Sequence, residues 1–323
     1  MPGQKAVGEF AGGESAGFVI RSGAATKRMA CRATGALVTF NRFARTAALV
    51  ALATLSATGA DAWHAILHAQ GRLDARYTAS LSGLPVGRGA WVVDIADDHF
   101  SAAASGSTAG LMQIFASGSG QSMARGSIVG GQLVPASYVS NIATDKKYDD
   151  VRMAISAGGV KEYVAEPPST PAPDRVPLTE AHRRGVVDPM TGSLFRVPGT
   201  GNPLVPEACP RKVAIFDGRM RYDLHLSFKR MENVKAEPGY QGPVVVCSLQ
   251  FSPIAGHIPD RAAIKYLTEL RTMEMWLAPI AGTRVLVPYR AAVPTPIGVG
   301  VLQATQFVST ALPAKPGPAA KTQ

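Results

Sequence analysis

The sequence predicts a mainly β protein, in which a long antiparallel meander curls into an open barrel or β-spiral and carries a few short helices. Two observations predict this fold. From Arg76 onward, apolar and polar residues alternate in short runs, and Gly, Pro and Asp residues separate these runs. The runs are not linked by long helical segments, which argues against a parallel α/β sheet.

The predicted strands fall into two halves of the chain. The clearest alternation spans residues 220–231, where Tyr222, Leu224, Leu226 and Phe228 share one face because successive strand side chains point to opposite sides. The N-terminal half, about 76–165, contains Tyr77–Leu81, Ala90–Ile95, His99–Ala104, Ser127–Val129, Ser137–Ile142, Val151–Ser156 and Val160–Ala165. The C-terminal half, about 211–308, contains Val213–Phe216, Tyr222–Leu226, Val244–Phe251, Met273–Leu277, Val285–Val293 and Val299–Phe307.

Short turn sequences predict which strands pair. Asp217-Gly218 tolerates the positive φ values of a tight type I′ hairpin, so Val213–Phe216 is expected to pair with Tyr222–Leu226. Gly158-Gly159 and the segment 295–298 (TPIG) predict two further hairpin turns.

Helices are predicted to be few and short. The candidates are Leu178–Arg184, Pro189–Phe195 and Ile264–Leu270, and Leu111–Ala116 is either one turn or a strand. In Pro189–Phe195, Asp188 is placed to cap free N–H groups, and proline suits the first helical position.

The proline-rich segment 166–174 (EPPSTPAPD) cannot join a sheet interior, so it separates the two β halves. We interpret residues 76–308 as one curled sheet, with this segment and the short helices as its connection. Two separate domains are the alternative. Residues 309–323 lack apolar periodicity and are predicted to be disordered.

Residues 1–62 are predicted to be an N-terminal extension and a cleaved signal peptide. A basic stretch precedes the uncharged run Thr46–Gly59, and Ala60-Asp61-Ala62 then supplies an A-x-A cleavage site. The apolar run is shorter than the ~20 residues that span a bilayer. We therefore expect Sec export to the periplasm, starting from Met1 or Met29. A buried helix or a short uncleaved anchor is the alternative.

Cysteine content agrees with export, since Cys209 and Cys247 are the two cysteines that follow the predicted cut. A disulfide between them would stabilise the fold by roughly 3–4 kcal/mol in the chain-entropy model. Two separate buried thiols are the alternative. The net charge of +10 includes the basic leader, so the sequence does not favour a nucleic-acid partner.

The sequence contains no pattern that predicts catalysis, a cofactor or a metal site. The motifs HExxH and CxxC are absent from the chain, and GxSxG is absent from the residues that follow the predicted cleavage site. The glycine-rich stretch Gly118–Gly126 lacks a Gly-Lys-Ser/Thr ending and is interpreted as a flexible loop. His64 and His68 lie at the new N-terminus, where a metal role is not expected. Cys209 and His225 would make a thiol–base pair only without the disulfide.

One apolar stripe has two interpretations. Met273, Met275 and Leu277 share one face of a predicted strand. Such a stripe usually packs in a core, but adaptable methionines also line pockets for acyl chains.

Several segments, in this order, resemble the bacterial domain of unknown function 3108 family. They are residues 77–87 (YTASLSGLPVG), 188–189 (DP), 216–219 (FDGR), 222–224 (YDL), 239–243 (GYQGP) with Cys247, 253–257 (PIAGH), 273–279 (MEMWLAP) and 287–289 (VPY). The resemblance covers about residues 76–308. It implies an exported protein with an antiparallel sheet, curled like periplasmic lipoprotein carriers or β-spiral envelope-integrity proteins, and it transfers no catalytic residue.

Two functional hypotheses follow. The first is a non-enzymatic periplasmic protein that binds a hydrophobic or amphipathic ligand, such as a lipid or a lipoprotein acyl chain, inside its curved sheet, with transient contact to a membrane surface. The second is a structural or interaction protein that supports envelope integrity by docking onto another envelope protein. An apolar cavity on the concave face would favour the first hypothesis, and a solid core would favour the second.

Overall fold

A computed structural model of the protein describes residues 70–110, 117–156 and 158–313, all within one compact unit, His64–Gln323. The predicted signal peptide, with its cleavage site at Ala60 and Ala62, lies outside the described residues. So do His64, His68, the segment Leu111–Ala116 and residues 314–323.

Strands dominate the described chain. The N-terminal half contains β1 Gly71–Leu81, β2 Leu84–Ile95, β3 His99–Thr108, β4 Gly118–Val129, β5 Gln132–Thr144, β6 Tyr148–Ser156 and β7 Gly159–Glu166. The C-terminal half contains β8 Phe195–Arg196, β9 Arg211–Phe216, β10 Arg221–Lys235, β11 Gln241–Ala255, β12 Met273–Pro279, β13 Val285–Thr295 and β14 Gly298–Ala311.

These strands form one 14-stranded antiparallel sheet. Its order is β7-β6-β5-β4-β3-β2-β1-β14-β13-β12-β11-β10-β9, with β8 paired to β13 off this path. Each half is a meander of neighbouring strands, and β1 and β14, the first and last strands in chain order, join the halves at the centre of the sheet. The predicted fold class is therefore confirmed.

The two outer strands of the sheet, β7 and β9, come close to each other without pairing. The rings of Tyr163 on β7 and Phe216 on β9 meet edge to face at a centroid distance of 5.2 Å. Between them, Gly185 donates its N–H to the Gly158 carbonyl at 2.6 Å, and Val187 forms a parallel bridge to β9. The sheet thus curls back on itself and stays open.

The central strands of the C-terminal half are buried on both faces. Along β11, Val244 and Val246 face one hydrophobic cluster, while Val245 and Cys247 face another. Residues 195–209, which we call the strap, cross the second face. The predicted Cys209–Cys247 disulfide is present, with 5.5 Å between the Cα atoms, and it ties the end of the strap to β11.

Helix is sparse, as predicted, but shorter than expected. The described residues contain one α-helix, α1 Ala262–Glu269, and three 3₁₀ turns at Glu180–Arg183, Thr191–Ser193 and Pro206–Ala208. The predicted helix Pro189–Phe195 is wrong beyond its central turn, since Phe195 belongs to β8. The predicted cap is confirmed, because Asp188 Oδ1 accepts the N–H groups of Met190 and Thr191, both at 2.9 Å.

Three further expectations need correction. Gly118–Gly126, interpreted as a flexible loop, forms most of strand β4, because β3 and β5 supply ladder partners on both sides. The β9–β10 hairpin has the predicted partners, but four residues separate Phe216 from its partner Arg221. Strand β14 also continues to Ala311, three residues into the predicted tail, through its pairing with β1.

Within the described ranges, no helix is long and apolar enough to span a bilayer.

Candidate ligand-binding cleft

The inner face of the sheet carries unusually small side chains at one end of strands β1 to β4. Strand alternation places Ala79, Gly87, Gly89, Ala104 and Gly106 on the same face as the buried core residues of these strands. The register sets the glycines side by side, with Gly89 opposite Gly106. The backbone itself therefore forms the floor of a depression.

This depression is a cavity of about 370 Å³. Its walls include two aromatic side chains, Tyr77 and Trp91, together with Pro288 and Leu302 from the other half of the sheet. Met190 closes it from the side. A volume of this size falls within the ~300–1,000 Å³ of typical small-molecule sites.

A second depression of about 440 Å³ continues the first across strands β3 to β5. It shares Ala79, Gly87 and the segment Ala104–Ser107 with the first cavity and reaches Ile142 on β5. We call the two together the cleft. An elongated apolar molecule therefore has a continuous path along the inner face.

Both ends of the cleft expose large apolar side chains to water. Leu302 pairs with Ala79 and is 42% exposed, and Ile142 pairs with Gly120 and is 47% exposed. These side chains face inward by their register, but the described residues leave nearly half of each uncovered. Exposed apolar surface in a concavity is typical of ligand sites.

A polar turn borders the cleft on its inner side. Asp188 is fully buried, and burial raises the pKa of its carboxyl group. Its capping bonds hold the turn that presents Met190 and Ser193 to the cavity. Met190 also packs against the clusters of both halves of the sheet. The turn therefore fixes one wall of the cleft.

The polar groups within the cleft are few and mostly satisfied by the protein. The Tyr77 hydroxyl donates to the Pro288 carbonyl at 2.7 Å, and burial raises its pKa, with a smaller contribution from Tyr289. Ser122 and Ser140 bond to each other at 3.0 Å. Among the described residues, no group of three His, Cys, Asp or Glu side chains could hold a metal ion. The cleft offers shape and apolar surface.

The structure separates the two interpretations of the methionine stripe. Met273, Met275 and Leu277 are buried, and the last two pack beneath the strap beside Cys209 and Cys247. They belong to the core, and they do not line the cleft. The sulfur of Cys209 is used in the disulfide, so it is not a thiol partner for His225.

The sequence prediction missed the residues that form the floor of the cleft. Their signal was present as small residues at every second position, in Gly87-Arg-Gly89 and in Ala102 to Gly106. Each such pattern looks like a poor strand by itself. Only the pairing of β2 with β3 shows that the small residues gather on one face.

Comparisons with known proteins find a family and one similar solved structure. A model of the family described as "Protein of unknown function (DUF3108)" matches residues 76–305. No curated protein matches the chain. A solved structure, described as a beta-barrel-like protein of domain of unknown function DUF1849 from Brucella abortus, is similar at TM-score 0.43 and 9% identity. That similarity covers 75% of this chain and 98% of the other.

Proposed function

This chain belongs to the family described as protein of unknown function (DUF3108), and from its own cleft we propose that it binds a hydrophobic or amphipathic ligand, such as a lipid or acyl chain, without catalysing a reaction. The observation that carries the proposal is an apolar concavity with a glycine and alanine floor and exposed leucine and isoleucine walls.

The energetics favour an apolar occupant. Leu302 and Ile142 are hydrated in the free protein, and a ligand that covers them removes apolar surface from water at about 25 cal/mol per Å². Tyr77, Trp91 and Met190 lie against the cavity, and Tyr77 and Trp91 are already buried in the fold. Binding therefore requires little ordering of those two rings, which keeps its entropic cost low.

The proposed compartment is the periplasm, reached through the N-terminal leader. Its support is the order of basic stretch, apolar run and A-x-A site that ends at Ala62. Cell fractionation with N-terminal sequencing of the mature protein tests this part independently. A protein that stays in the cytosol with residues 1–62 attached contradicts it.

A matched pair of variants tests the binding site. Ala104 faces the cleft, and its neighbour Ala103 faces outward on the same strand. We expect Ala104→Leu to fill the cavity and weaken binding of a fluorescent fatty acid by about tenfold or more, roughly 1.4 kcal/mol. Ala103→Leu adds the same side chain outside the cleft and should leave the affinity unchanged.

Native mass spectrometry of protein isolated from the periplasm completes the test. We expect co-purifying lipid with the wild type and less with Ala104→Leu, at equal thermal stability. If the wild type carries no lipid and binds no acyl probe, or if both alanine variants bind equally well, the proposal is wrong. Should Ala104→Leu fold poorly, Leu302→Asp probes the same cleft from an exposed position.

One observation favours the second candidate, an interaction protein that supports the envelope. On the outer face, Val92, Ala103, Met123 and Val139 lie opposite one another across four neighbouring strands, and the last two are more than one third exposed. A deletion strain separates the candidates through its detergent sensitivity. A ligand-binding role predicts that Met123→Ser complements the strain and Ala104→Leu does not, and an interaction role predicts the reverse.

A further inference from the structure

The cleft opens toward one edge of the sheet, which we call the mouth. Three hairpin turns lie along this edge, at residues 82–83, 145–147 and 296–297. The strand pairing places all three turns at the same edge of the sheet. Leu81 pairs with both Leu84 and Gly300, and Thr144 at the end of β5 pairs with Gly118. The second depression of the cleft reaches Thr144.

The mouth presents large apolar side chains to solvent. Ile297 is the most exposed large apolar residue of the described chain, at 74%, and Leu84 is 61% exposed. Both lie at hairpin turns that flank the wall residue Leu302. Side chains this exposed bury little of their surface against the described residues, which makes them available to contact another molecule.

Hydrogen bonds join these two hairpins into one ridge. Ser82 donates its N–H to the Val299 carbonyl and its hydroxyl to the Ile297 carbonyl, both at 3.0 Å. Gly298 lies against Ser82 so closely that a Cβ at Gly298 would overlap the Ser82 hydroxyl. The two hairpins that carry Leu84 and Ile297 are therefore held to each other, and insertion of these side chains into a lipid phase needs no reordering of the backbone.

Two hairpin turns at opposite edges of the sheet differ in charge. At the mouth, the β5–β6 turn carries Lys146 and Lys147, and neither forms an ion pair with a described residue. The first residue of this turn, Asp145, accepts the Ser117 N–H at 2.7 Å. At the opposite edge, the β2–β3 turn carries the carboxylates of Asp97 and Asp98. The mouth thus combines exposed apolar tips with cationic groups.

We propose that the mouth docks on an anionic lipid membrane surface, with Leu84 and Ile297 inserted among the acyl chains and Lys146 and Lys147 against the headgroups. Apolar tips supply hydrophobic burial, and lysines near the surface supply attraction to anionic lipids. The inference rests on the proposed function, because docking at the mouth gives the ligand a path from the leaflet into the cleft without crossing water.

Flotation of the mature protein with lipid vesicles tests the proposal. We expect binding to vesicles that contain phosphatidylglycerol, weaker binding at high salt, and little binding to pure phosphatidylcholine. Leu84→Ser with Ile297→Ser should lower the vesicle affinity about tenfold or more. Lys146→Gln with Lys147→Gln should lower it by a similar factor and reduce its salt dependence.

The opposite edge supplies the matched control. Val129 also lies at a hairpin turn and is 61% exposed, so Val129→Ser removes an equally exposed apolar side chain away from the mouth. We expect this variant to bind vesicles like the wild type. Equal losses for Val129→Ser and the mouth variants would overturn the proposal, as would absence of binding to anionic vesicles.

A third measurement separates this inference from the proposed function. The mouth variants should still bind a soluble fluorescent fatty acid in the absence of vesicles, because the cleft is unchanged. If the wild type binds the probe but not the vesicles, only membrane docking is wrong, and if it does not bind the probe, the cleft assignment is wrong. If the wild type instead forms concentration-dependent dimers, and Leu84→Ser with Ile297→Ser abolishes them, the mouth binds a second copy of the chain and the membrane proposal is wrong.

Discussion

The two halves of the sheet share one pairing pattern but differ in what covers their faces. In the C-terminal half, β11, β12 and β13 are covered on both faces, by the interior on one side and by the strap on the other. In the N-terminal half, β2 to β5 leave Met123 and Val139 exposed on the outer face and Ile142 exposed on the inner one.

This difference suggests that the two halves contribute differently, the C-terminal half to stability and the N-terminal half to the proposed binding site. The half that packs side chains on two faces resists deformation, and the half with a thin, small-residue face leaves space for another molecule. A ligand in the cleft would cover part of the inner face that the N-terminal half leaves exposed. The same type of substitution should therefore lower the free energy of unfolding more in the C-terminal half than in the cleft.

Removal of the disulfide should have the largest effect on stability. Cys209→Ser with Cys247→Ser frees the end of the strap from β11. It also opens the covalent loop that the disulfide closes between two positions 38 residues apart. We expect the free energy of unfolding to fall by about 4 kcal/mol in the chain-entropy model. Urea denaturation under oxidising conditions measures this change, and reduced wild-type protein is the control. A loss below about 1 kcal/mol would show that the strap holds by packing alone.

Truncation of the core beneath the strap should come next. Leu277 is fully buried among residues of the strap and of β11. We expect Leu277→Ala to lower the free energy of unfolding by about 3 kcal/mol, because the lost apolar contacts leave a cavity. Chemical denaturation at neutral pH provides the measurement. A cost under about 1 kcal/mol would mean that the strap collapses onto β12 and that this half is less tightly packed than described.

Much of the fold follows from local pattern. Hairpin residues identified the pairings of β6 with β7, β9 with β10 and β13 with β14, because turn conformation and two-residue alternation act over a few residues. The disulfide followed from the two cysteines downstream of the predicted leader. The pairing of β1 with β14 joins positions more than 200 residues apart, and no local signal contains it.

The cleft was beyond local reasoning for the same reason. Gly118–Gly126 looks like a loop until β3 and β5 supply its hydrogen-bond partners. Leu302 and Ile142 look like ordinary inward strand residues, and their exposure depends on the small residues that pair with them, Ala79 with Leu302 and Gly120 with Ile142. A site made by absent side chains appears only after strands from both halves have been assembled.

The polar turn of Asp188 should make the free energy of unfolding depend on pH. The direction of this effect follows from the pKa shift, and its size should be smaller than that of the two substitutions above. Burial raises the folded-state pKa of Asp188 above its unfolded value, so its contribution is present below about pH 4 and is lost as pH rises through the folded pKa. Asp188→Asn keeps Oδ1 as acceptor for the turn and cannot ionise. We expect the variant to gain stability relative to the wild type as pH rises from 4 to 7, measured by denaturation at each pH.

An exposed carboxyl group gives a control of opposite sign. Hydrogen bonds from the Ser117 hydroxyl and N–H lower the pKa of Asp145. Asp145→Asn should therefore lose stability relative to the wild type as pH rises from below the folded pKa, weakly because the group is fully exposed to solvent. If Asp188→Asn follows the trend of Asp145→Asn, the inner turn is hydrated and does not form a dry wall.

The smallest change in stability should come from a leucine-to-alanine substitution in the cleft. Leu302→Ala removes the same atoms as Leu277→Ala, but Leu302 is 42% exposed and faces open space, so little packing is lost. We expect a cost within about 0.5 kcal/mol, together with weaker binding of the acyl probe. Denaturation and probe titration on one sample test both. A cost near that of Leu277→Ala would show that the cleft is packed shut in solution, and the contrast between the halves would disappear with it.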